Sequence, residues 1–174
     1  AVAAAEADRL AREHGGAAMG LALDVREPAS VKAAVDRVVD QFGRIDILVN
    51  NAGINIRGPI ESLSEADWDA VLDTNLKGAW LCCQAVAATM KANRWGRIVN
   101  VPSMLGEVGL AGRTAYTASK GGLTLMTRTL ALEWAEHGIL VNALCPGPFL
   151  TDINLPLMND PAARAMLETR VPLA

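Results

Sequence analysis

The stretch AYTASKGG, residues 115–122, holds the only tyrosine of the 174-residue chain, Tyr116, and a lysine four positions later, Lys120. On a helix, side chains at i and i+4 share a face, so the Lys120 ammonium can reach the phenol oxygen or a ligand beside it. A nearby cation stabilises the phenolate and favours proton exchange near neutral pH. The spacing therefore predicts a general acid or base at Tyr116. For this pair alone, an ordinary surface contact is the alternative.

Two further polar residues occupy positions that a packed core would not choose. Ser103 follows an apolar run, and its hydroxyl could hold the oxygen of a carbonyl or an alcohol. Asn75 falls on the same helix face as Val71 and Leu72, four and three residues before it. An inward amide needs hydrogen-bond partners, so Asn75 either braces a neighbour or serves a site. We expect a leucine at this position to cost little stability.

Apolar runs alternate with helical patterns along the chain, which is typical of βαβ units around a buried parallel sheet. Strands are predicted at residues 17–25, 45–49, 97–101 and 139–144. Helices are predicted at residues 3–14, from 31 to a stop at Gly43, from a capping box at Ser64 toward Met90, within 112–136, and at 160–168. The fold class is therefore α/β, with a doubly wound parallel sheet of the Rossmann type.

The predicted strand ends carry small, kinked or hydroxyl-bearing residues. They are Asp24-Val25, Asn50 to Gly53, Ser103, and Pro146-Gly147. Ligands of such sheets bind beyond the carboxyl ends of the strands. These residues let backbone approach an extended ligand closely, and a nucleotide would suit the cleft.

The composition and charge of the chain argue against several classes of binding partner. The net charge is -3, and no block of lysines or arginines suggests a nucleic acid or an acidic membrane as partner. No apolar run reaches the roughly 18 residues of a spanning helix, and the start lacks a signal-peptide layout. Cysteine and histidine spacing predicts no metal site. We expect a cytoplasmic protein that binds a small molecule.

Six features occur in one order along the chain: Asp24-Val25, Asn50-Asn51-Ala52-Gly53, Asn75 in Thr-Asn-Leu-Lys-Gly, Ser103, Tyr116-Thr-Ala-Ser-Lys120, and Pro146-Gly147-Pro-Phe-Leu-Thr151. In this order and spacing they resemble the short-chain dehydrogenase/reductase family. Residues 51–173 are also similar to the branch containing gluconate 5-dehydrogenase-like and 3-oxoacyl-reductase-like enzymes.

The resemblance implies an oxidoreductase that transfers hydride between NAD or NADP and a secondary alcohol or ketone. Tyr116 would exchange the proton of the substrate oxygen, and Lys120 would bind the nicotinamide ribose and make the phenol more acidic. Ser103 would orient the substrate oxygen, and Asn75 would hold a water that links the lysine to bulk solvent. The residues implied to contact the cofactor are Asp24, Val25, Asn51, Ala52, Gly53, Tyr116, Lys120, Pro146, Gly147, Phe149 and Thr151.

Two departures from the family pattern stand out. Pro102 occupies a position where many relatives have a second serine, which leaves Ser103 itself in place. No Gly-x-x-x-Gly-x-Gly loop, which would cradle the pyrophosphate, occurs in the chain. We therefore expect residues 1–174 to be a single Rossmann-type dehydrogenase domain that is incomplete at both ends, without the N-terminal βαβ part and the last strand.

Other interpretations remain open at the level of sequence. The missing loop favours a non-catalytic or truncated nucleotide-binding relative, and a dehydratase or epimerase on nucleotide sugars also uses tyrosine and lysine. Arg57 could pair with a substrate carboxylate, but the sequence favours a solvated surface arginine. Leu155, Leu157 and Met158 are predicted to form a lid. In relatives, the helices near Ser64 and Gly112 pair between subunits, which implies a homodimer or homotetramer.

Overall fold

The computed structural model describes residues 2–149, 151 and 159–170. Three strands, β1 (Ile47–Asn50), β2 (Gly96–Asn100) and β3 (Ile139–Ala143), form a parallel sheet in the order β1-β2-β3. The helices are α1 (Val2–His14), α2 (Pro28–Phe42), α3 (Glu65–Leu72), α4 (Gly78–Asn93), α5 (Thr114–Trp134) and α6 (Pro161–Arg170). Short 3-10 turns lie at Ile60–Ser62, Met104–Gly106 and Ala135–His137.

The local signals fix most element ends. Pro28 opens α2, and Gly43 ends it in the left-handed conformation at φ 82°, where its amide bonds to Val39 O. Ser64 and Asp67 form the predicted capping box at the start of α3. The helix predicted to run from Ser64 toward Met90 is correct in extent, but it is interrupted by a π-helical segment, Asp73–Lys77, between α3 and α4.

One predicted element is wrong. Residues 17–25 form no strand and run as irregular backbone into a turn at Val25 and Arg26. A strand is held by a hydrogen-bond ladder to a neighbour, and among the described residues β1 pairs only with β2. Without a ladder, the apolar character of this stretch does not suffice to make a strand.

The core lies on one face of the sheet. Ile98, Ile139 and Val141 pack there with apolar residues of α4 and α5, including Met90 and Trp134. The other face carries exposed apolar side chains of β1 and β3, namely Ile47, Val49 and Leu140. In the part of the chain that the structure describes, no helix has the length and apolar character needed to cross a membrane.

Candidate active site

Tyr116 and Lys120 meet as their spacing predicts. Both lie in α5, and Lys120 Nζ is 5.7 Å from the centre of the Tyr116 ring. The ammonium also donates a 2.8 Å hydrogen bond to Val101 O, directly after β2. That bond ties the helix that carries both side chains to the end of the central strand.

Lys120 is a buried cation. Its residue is only 4% exposed, and among the described residues no carboxylate pairs with it. Burial lowers the pKa of Lys120 from 10.5 to about 8, because a low-dielectric surrounding disfavours the charged form. The ammonium has three N–H groups, and one of them donates to Val101 O. The other two are available to a polar ligand.

Asn75 braces the loop that follows β1. Its Oδ1 accepts from Ile54 N at 2.8 Å, and its Nδ2 donates to Ile54 O at 2.9 Å. Nδ2 also donates to Ser119 Oγ at 3.0 Å, and Ser119 Oγ in turn donates to Tyr116 O at 2.8 Å. Asn75 lies in the π-helical segment, a distortion that is frequent at functional sites. The side chain therefore braces this loop, which is one of the two roles that the sequence left open.

Gly53 brings the loop, Asn75 and Lys120 together. A Cβ placed on Gly53 would lie 3.4 Å from Asn75 Oδ1 and 3.4 Å from Lys120 Nζ. Asn75 Oδ1, an acceptor, and Lys120 Nζ, a donor, therefore lie on the same side of Gly53. A carbonyl oxygen has two lone pairs, so Asn75 Oδ1 retains one acceptor position beyond its bond to Ile54 N.

Ser103 is positioned by the short 3-10 turn that it opens. Its side chain is buried, and its Oγ accepts from Leu105 N at 3.1 Å. A hydroxyl carries one donor beside two lone pairs, so the O–H of Ser103 remains available for a ligand oxygen. Gly106, in the same turn, packs directly on α5, where a Cβ would lie 2.8 Å from the carbonyl carbon of Lys120. The Ser103 turn is therefore held against the helix that carries Tyr116.

Asp24 and Val25, the two residues predicted to contact the adenine, differ from each other in their surroundings. The Asp24 carboxylate forms an ion pair with Arg26 at 2.7 Å, and this hydrogen bond lowers the pKa of Asp24 to about 2. Val25 packs on the start of α4, where a Cβ on Gly78 would lie 2.7 Å from Val25 Cγ2. The structure thus places Asp24 in a surface ion pair and Val25 in an apolar contact.

The remaining residues predicted to contact the cofactor follow β1 and β3 in the chain. Asn51 and Ala52 are exposed directly after β1. Pro146 O accepts from Met104 N at 3.2 Å, which joins the segment after β3 to the Ser103 turn. Gly147, Phe149 and Thr151 are exposed. Leu155, Leu157 and Met158, the predicted lid, lie outside the described residues.

Sequence reasoning missed Ser119 and Gly106. The only signal for them in the sequence is that they lie close along the chain to Lys120 and Ser103, respectively. Ser119 is completely buried and lies immediately before Lys120. Ser119 lies three residues after Tyr116, so its hydroxyl can donate to Tyr116 O within the helix, which is a common arrangement. That spacing gives no sign of the second partner of the hydroxyl, Asn75. Gly106 looks like an ordinary loop glycine until α5 is packed against it.

Arg113 lies near Tyr116, and Arg57 lies near Arg113. Gly58 N donates to Gly112 O at 3.2 Å, so the loop after β1 meets the loop before α5, and Arg57 and Arg113 flank this contact. Burial, and then the like charge of Arg57, lower the pKa of Arg113, while Tyr116 opposes the shift. Arg57 is partly buried rather than fully solvated, contrary to the expectation of a solvated surface arginine.

Comparison with known proteins identifies the family. The family model described as short chain dehydrogenase matches residues 1–162. The chain belongs to the short-chain dehydrogenase family. This confirms the family suggested by the six sequence features and the Rossmann-type α/β fold class.

Within the described residues, no group of three or more histidine, cysteine, aspartate and glutamate side chains could hold a metal ion.

Several curated short-chain dehydrogenases are similar in sequence. A (2S)-[(R)-hydroxy(phenyl)methyl]succinyl-CoA dehydrogenase subunit from Thauera aromatica is 48% identical over 74% of this chain and 52% of its own length. D-threitol dehydrogenase from Mycolicibacterium smegmatis is 43% identical over 92% of this chain and 63% of its own. The 3-oxoacyl-[acyl-carrier-protein] reductase of Staphylococcus aureus is 41% identical over 87% and 61%, respectively.

Solved short-chain dehydrogenases share the fold closely. A gluconate 5-dehydrogenase from Burkholderia cenocepacia, solved in complex with NADP and tartrate, superimposes with a TM-score of 0.93 at 40% identity. The match covers 97% of this chain and 66% of that one. The chain therefore spans between about half and two thirds of the length of the relatives that it matches.

Proposed function

We propose that the protein is an oxidoreductase that transfers hydride between NAD or NADP and a secondary alcohol or ketone, with Tyr116 as the general acid or base. The observation that carries the proposal is the buried Lys120 ammonium, which lies 5.7 Å from the Tyr116 ring centre and has no carboxylate partner among the described residues. A buried unpaired cation is costly. Its retention beside a single tyrosine favours a chemical role over a structural one.

The residues present fit the nicotinamide half of a dinucleotide. Gly53 offers backbone without a side chain beside Lys120 Nζ, and Asn51 and Ala52 are exposed along the same loop. Lys120 would bind the ribose hydroxyls through its remaining N–H groups. Pro146, Gly147, Phe149 and Thr151 would hold the carboxamide side. When bound, the nicotinamide supplies the acceptor or donor of the hydride.

The protein's own groups handle the proton. Ser103 would donate its O–H to the substrate oxygen and hold it in place for Tyr116. In alcohol oxidation Tyr116 takes the proton of the substrate hydroxyl as the hydride leaves the carbon, and in ketone reduction it returns the proton. A water between Asn75 Oδ1 and Lys120 Nζ would pass the proton toward solvent.

The arginine pair favours a substrate with an acidic group. Arg113 lies near Tyr116, and Arg57 lies near Arg113, so two positive charges occur together on this side of the site and favour an anionic group. The relatives include a dehydrogenase solved with tartrate, a dicarboxylate. Small hydroxy acids are therefore the first substrates to test, with neutral polyols of the same length as the matched comparison.

The exposed apolar face formed by α4 and α5 suits a second copy of the chain. Trp80 on α4 and Leu125 on α5 are 46% and 61% exposed. Trp80 also lines a groove with Leu72, Leu76 and Met126, which includes the charged Asp73 and Lys77. A patch of large apolar side chains on helices marks a contact surface. A homodimer or homotetramer built through these helices would bury it.

A substrate panel with the full-length protein tests the proposal. Turnover that changes the reduced-nicotinamide absorbance at about 340 nm supports a dehydrogenase. Product formed without net change in the cofactor would instead indicate a dehydratase or epimerase. Cofactor binding without turnover on hydroxy acids, polyols and 3-oxoacyl thioesters would favour the non-catalytic relative.

A further inference from the structure

A series of buried polar side chains lies behind the candidate site and has no role in the reaction described above. Asn50 and Asn100, the last residues of β1 and β2, are partners in the strand register. Asn50 Nδ2 donates to Asn100 Oδ1 at 2.8 Å, and Asn100 Nδ2 donates to Thr127 Oγ1 of α5 at 2.9 Å. The three residues are 8%, 0% and 3% exposed, so each of these bonds is shielded from water.

Both ends of the series are also satisfied. Asn50 Nδ2 makes a second bond to Cys83 Sγ of α4 at 3.3 Å, and Thr127 Oγ1 donates to Leu123 O at 2.7 Å. The series therefore crosses from α4 through both strands to α5. A buried network of this kind, when every member has its partners, fixes one arrangement of the elements that it joins.

The network adjoins the surroundings of Lys120 on three sides. Val101, directly after Asn100, is the acceptor for Lys120 Nζ at 2.8 Å. Gly53, three residues after Asn50, borders the same ammonium. Thr127 is seven residues after Lys120 on α5, so the two lie on the same side of the helix, two turns apart.

We infer that Thr127, held by Asn100, is a positioning residue that fixes α5 along β2 so that Lys120 meets Val101 O. The hydrophobic effect is non-directional and does not by itself select one position of a helix on a sheet. A hydrogen bond has narrow limits of distance and angle and therefore sets the position. The consequence for catalysis depends on the proposed function, whereas the consequence for Lys120 itself does not.

Thr124 supplies a matched control on the same helix. It is buried to a similar degree, at 6% exposed, and its hydroxyl donates to Lys120 O at 3.1 Å within α5. Thr127→Val and Thr124→Val each remove one buried hydroxyl and keep the side-chain shape. Only the first of them breaks a bond to the sheet and leaves the Asn100 amide without its acceptor.

The test uses the full-length protein and two readouts. Thr127→Val should lower kcat about tenfold while KM stays within about twofold, since a small misplacement of a reacting group slows the reaction more than it weakens binding. Thr124→Val should leave both parameters within about twofold, and Thr127→Ser, which restores the hydroxyl, should recover kcat. If Thr127→Val does not fold, Thr127→Cys keeps the shape with a weaker acceptor and replaces it.

The second readout is independent of turnover. Carbon-13-labelled lysine, with the Lys120 signal assigned by its loss in Lys120→Met, gives the titration of Lys120 by NMR. Thr127→Val should move that titration away from the wild-type midpoint, and Thr124→Val should not. Equal midpoints in wild type and Thr127→Val, or equal shifts in both valine variants, overturn the inference. Absence of turnover in the wild type would count against the proposed function alone, because the titration still decides the role of Thr127.

Discussion

The side chain of Asn75 binds both backbone polar groups of Ile54, accepting from its N–H at 2.8 Å and donating to its C=O at 2.9 Å. The side-chain amide thereby satisfies both backbone groups of Ile54 in the loop after β1, as a neighbouring strand would. Because that loop carries Gly53 to the Lys120 ammonium, the contact fixes the geometry of the site.

Asn75→Leu should destabilise the protein by about 2–4 kcal/mol, because it leaves both Ile54 groups without their partners. This reverses the expectation from sequence that a leucine would be tolerated on an apolar helix face. Urea unfolding followed by circular dichroism gives the difference. Asn93→Leu, at the exposed end of α4, is the control and should change stability by less than about 0.5 kcal/mol. An equal effect of the two substitutions would contradict the bracing role.

Tyr116→Phe should lower kcat at least about 100-fold, since it removes the exchangeable proton and keeps the ring. The dissociation constant of the cofactor, measured by fluorescence titration, should stay within about threefold, because Lys120 retains its bond to Val101 O. Activity close to wild type in this variant would rule out Tyr116 as the acid or base.

Lys120 should make stability depend on pH in the alkaline range. Below its folded pKa of about 8 the ammonium is charged in both states, and the folded state carries the full cost of burial. Between about 8 and the ordinary lysine pKa of 10.5, the folded protein has released the proton and the unfolded chain retains it. The free energy of unfolding should therefore rise with pH through this window, by about 3 kcal/mol at most.

Urea unfolding at several pH values checks this for the protein without cofactor. The difference between wild type and Lys120→Met isolates the contribution of this one group. A difference that stays flat, or that falls between pH 8 and 10.5, would mean that the ammonium is not held in a desolvated place.

Gly53→Ala should slow turnover at least about tenfold with little loss of stability. The added Cβ would lie at 3.4 Å from Asn75 Oδ1 and Lys120 Nζ, in ordinary contact with both, and would obstruct the space between them where the water is proposed. Gly109→Ala, where a Cβ meets nothing within 4 Å, is the control. Steady-state rates and thermal melting of both variants decide the matter, and an unimpaired Gly53→Ala enzyme would exclude a water in that space.

Leu125→Lys should reduce the molar mass of the assembly in solution, because it places a charge in the apolar face of α4 and α5. Light scattering after size exclusion measures this. Ile60→Lys, at a residue that is 70% exposed outside the two helices, should leave the mass unchanged. A wild-type protein that is monomeric at micromolar concentration would refute the proposed contact.

Local patterns in the sequence accounted for most helices and for the three observed strands. The capping box at Ser64, the stop at Gly43 and the pairing of Tyr116 with Lys120 depend on residues within one or two turns of each other. Such interactions are set by helix geometry, which is the same in any fold. The expected strand at residues 17–25 was wrong because a strand requires a neighbour, and neighbours are a property of the whole sheet.

The sequence by itself determined the family, the fold class and the set of polar residues gathered at the strand ends. Only the tertiary structure decided what those residues do to each other: that Asn75 braces Ile54, that Arg57 lies near Arg113, and that Thr127 joins Asn100 across the sheet. These contacts join residues between 21 and 56 positions apart, counting from Ile54 to Asn75 and from Arg57 to Arg113. Packing alone brings such distant segments within hydrogen-bond or charge range, so no local pattern records them.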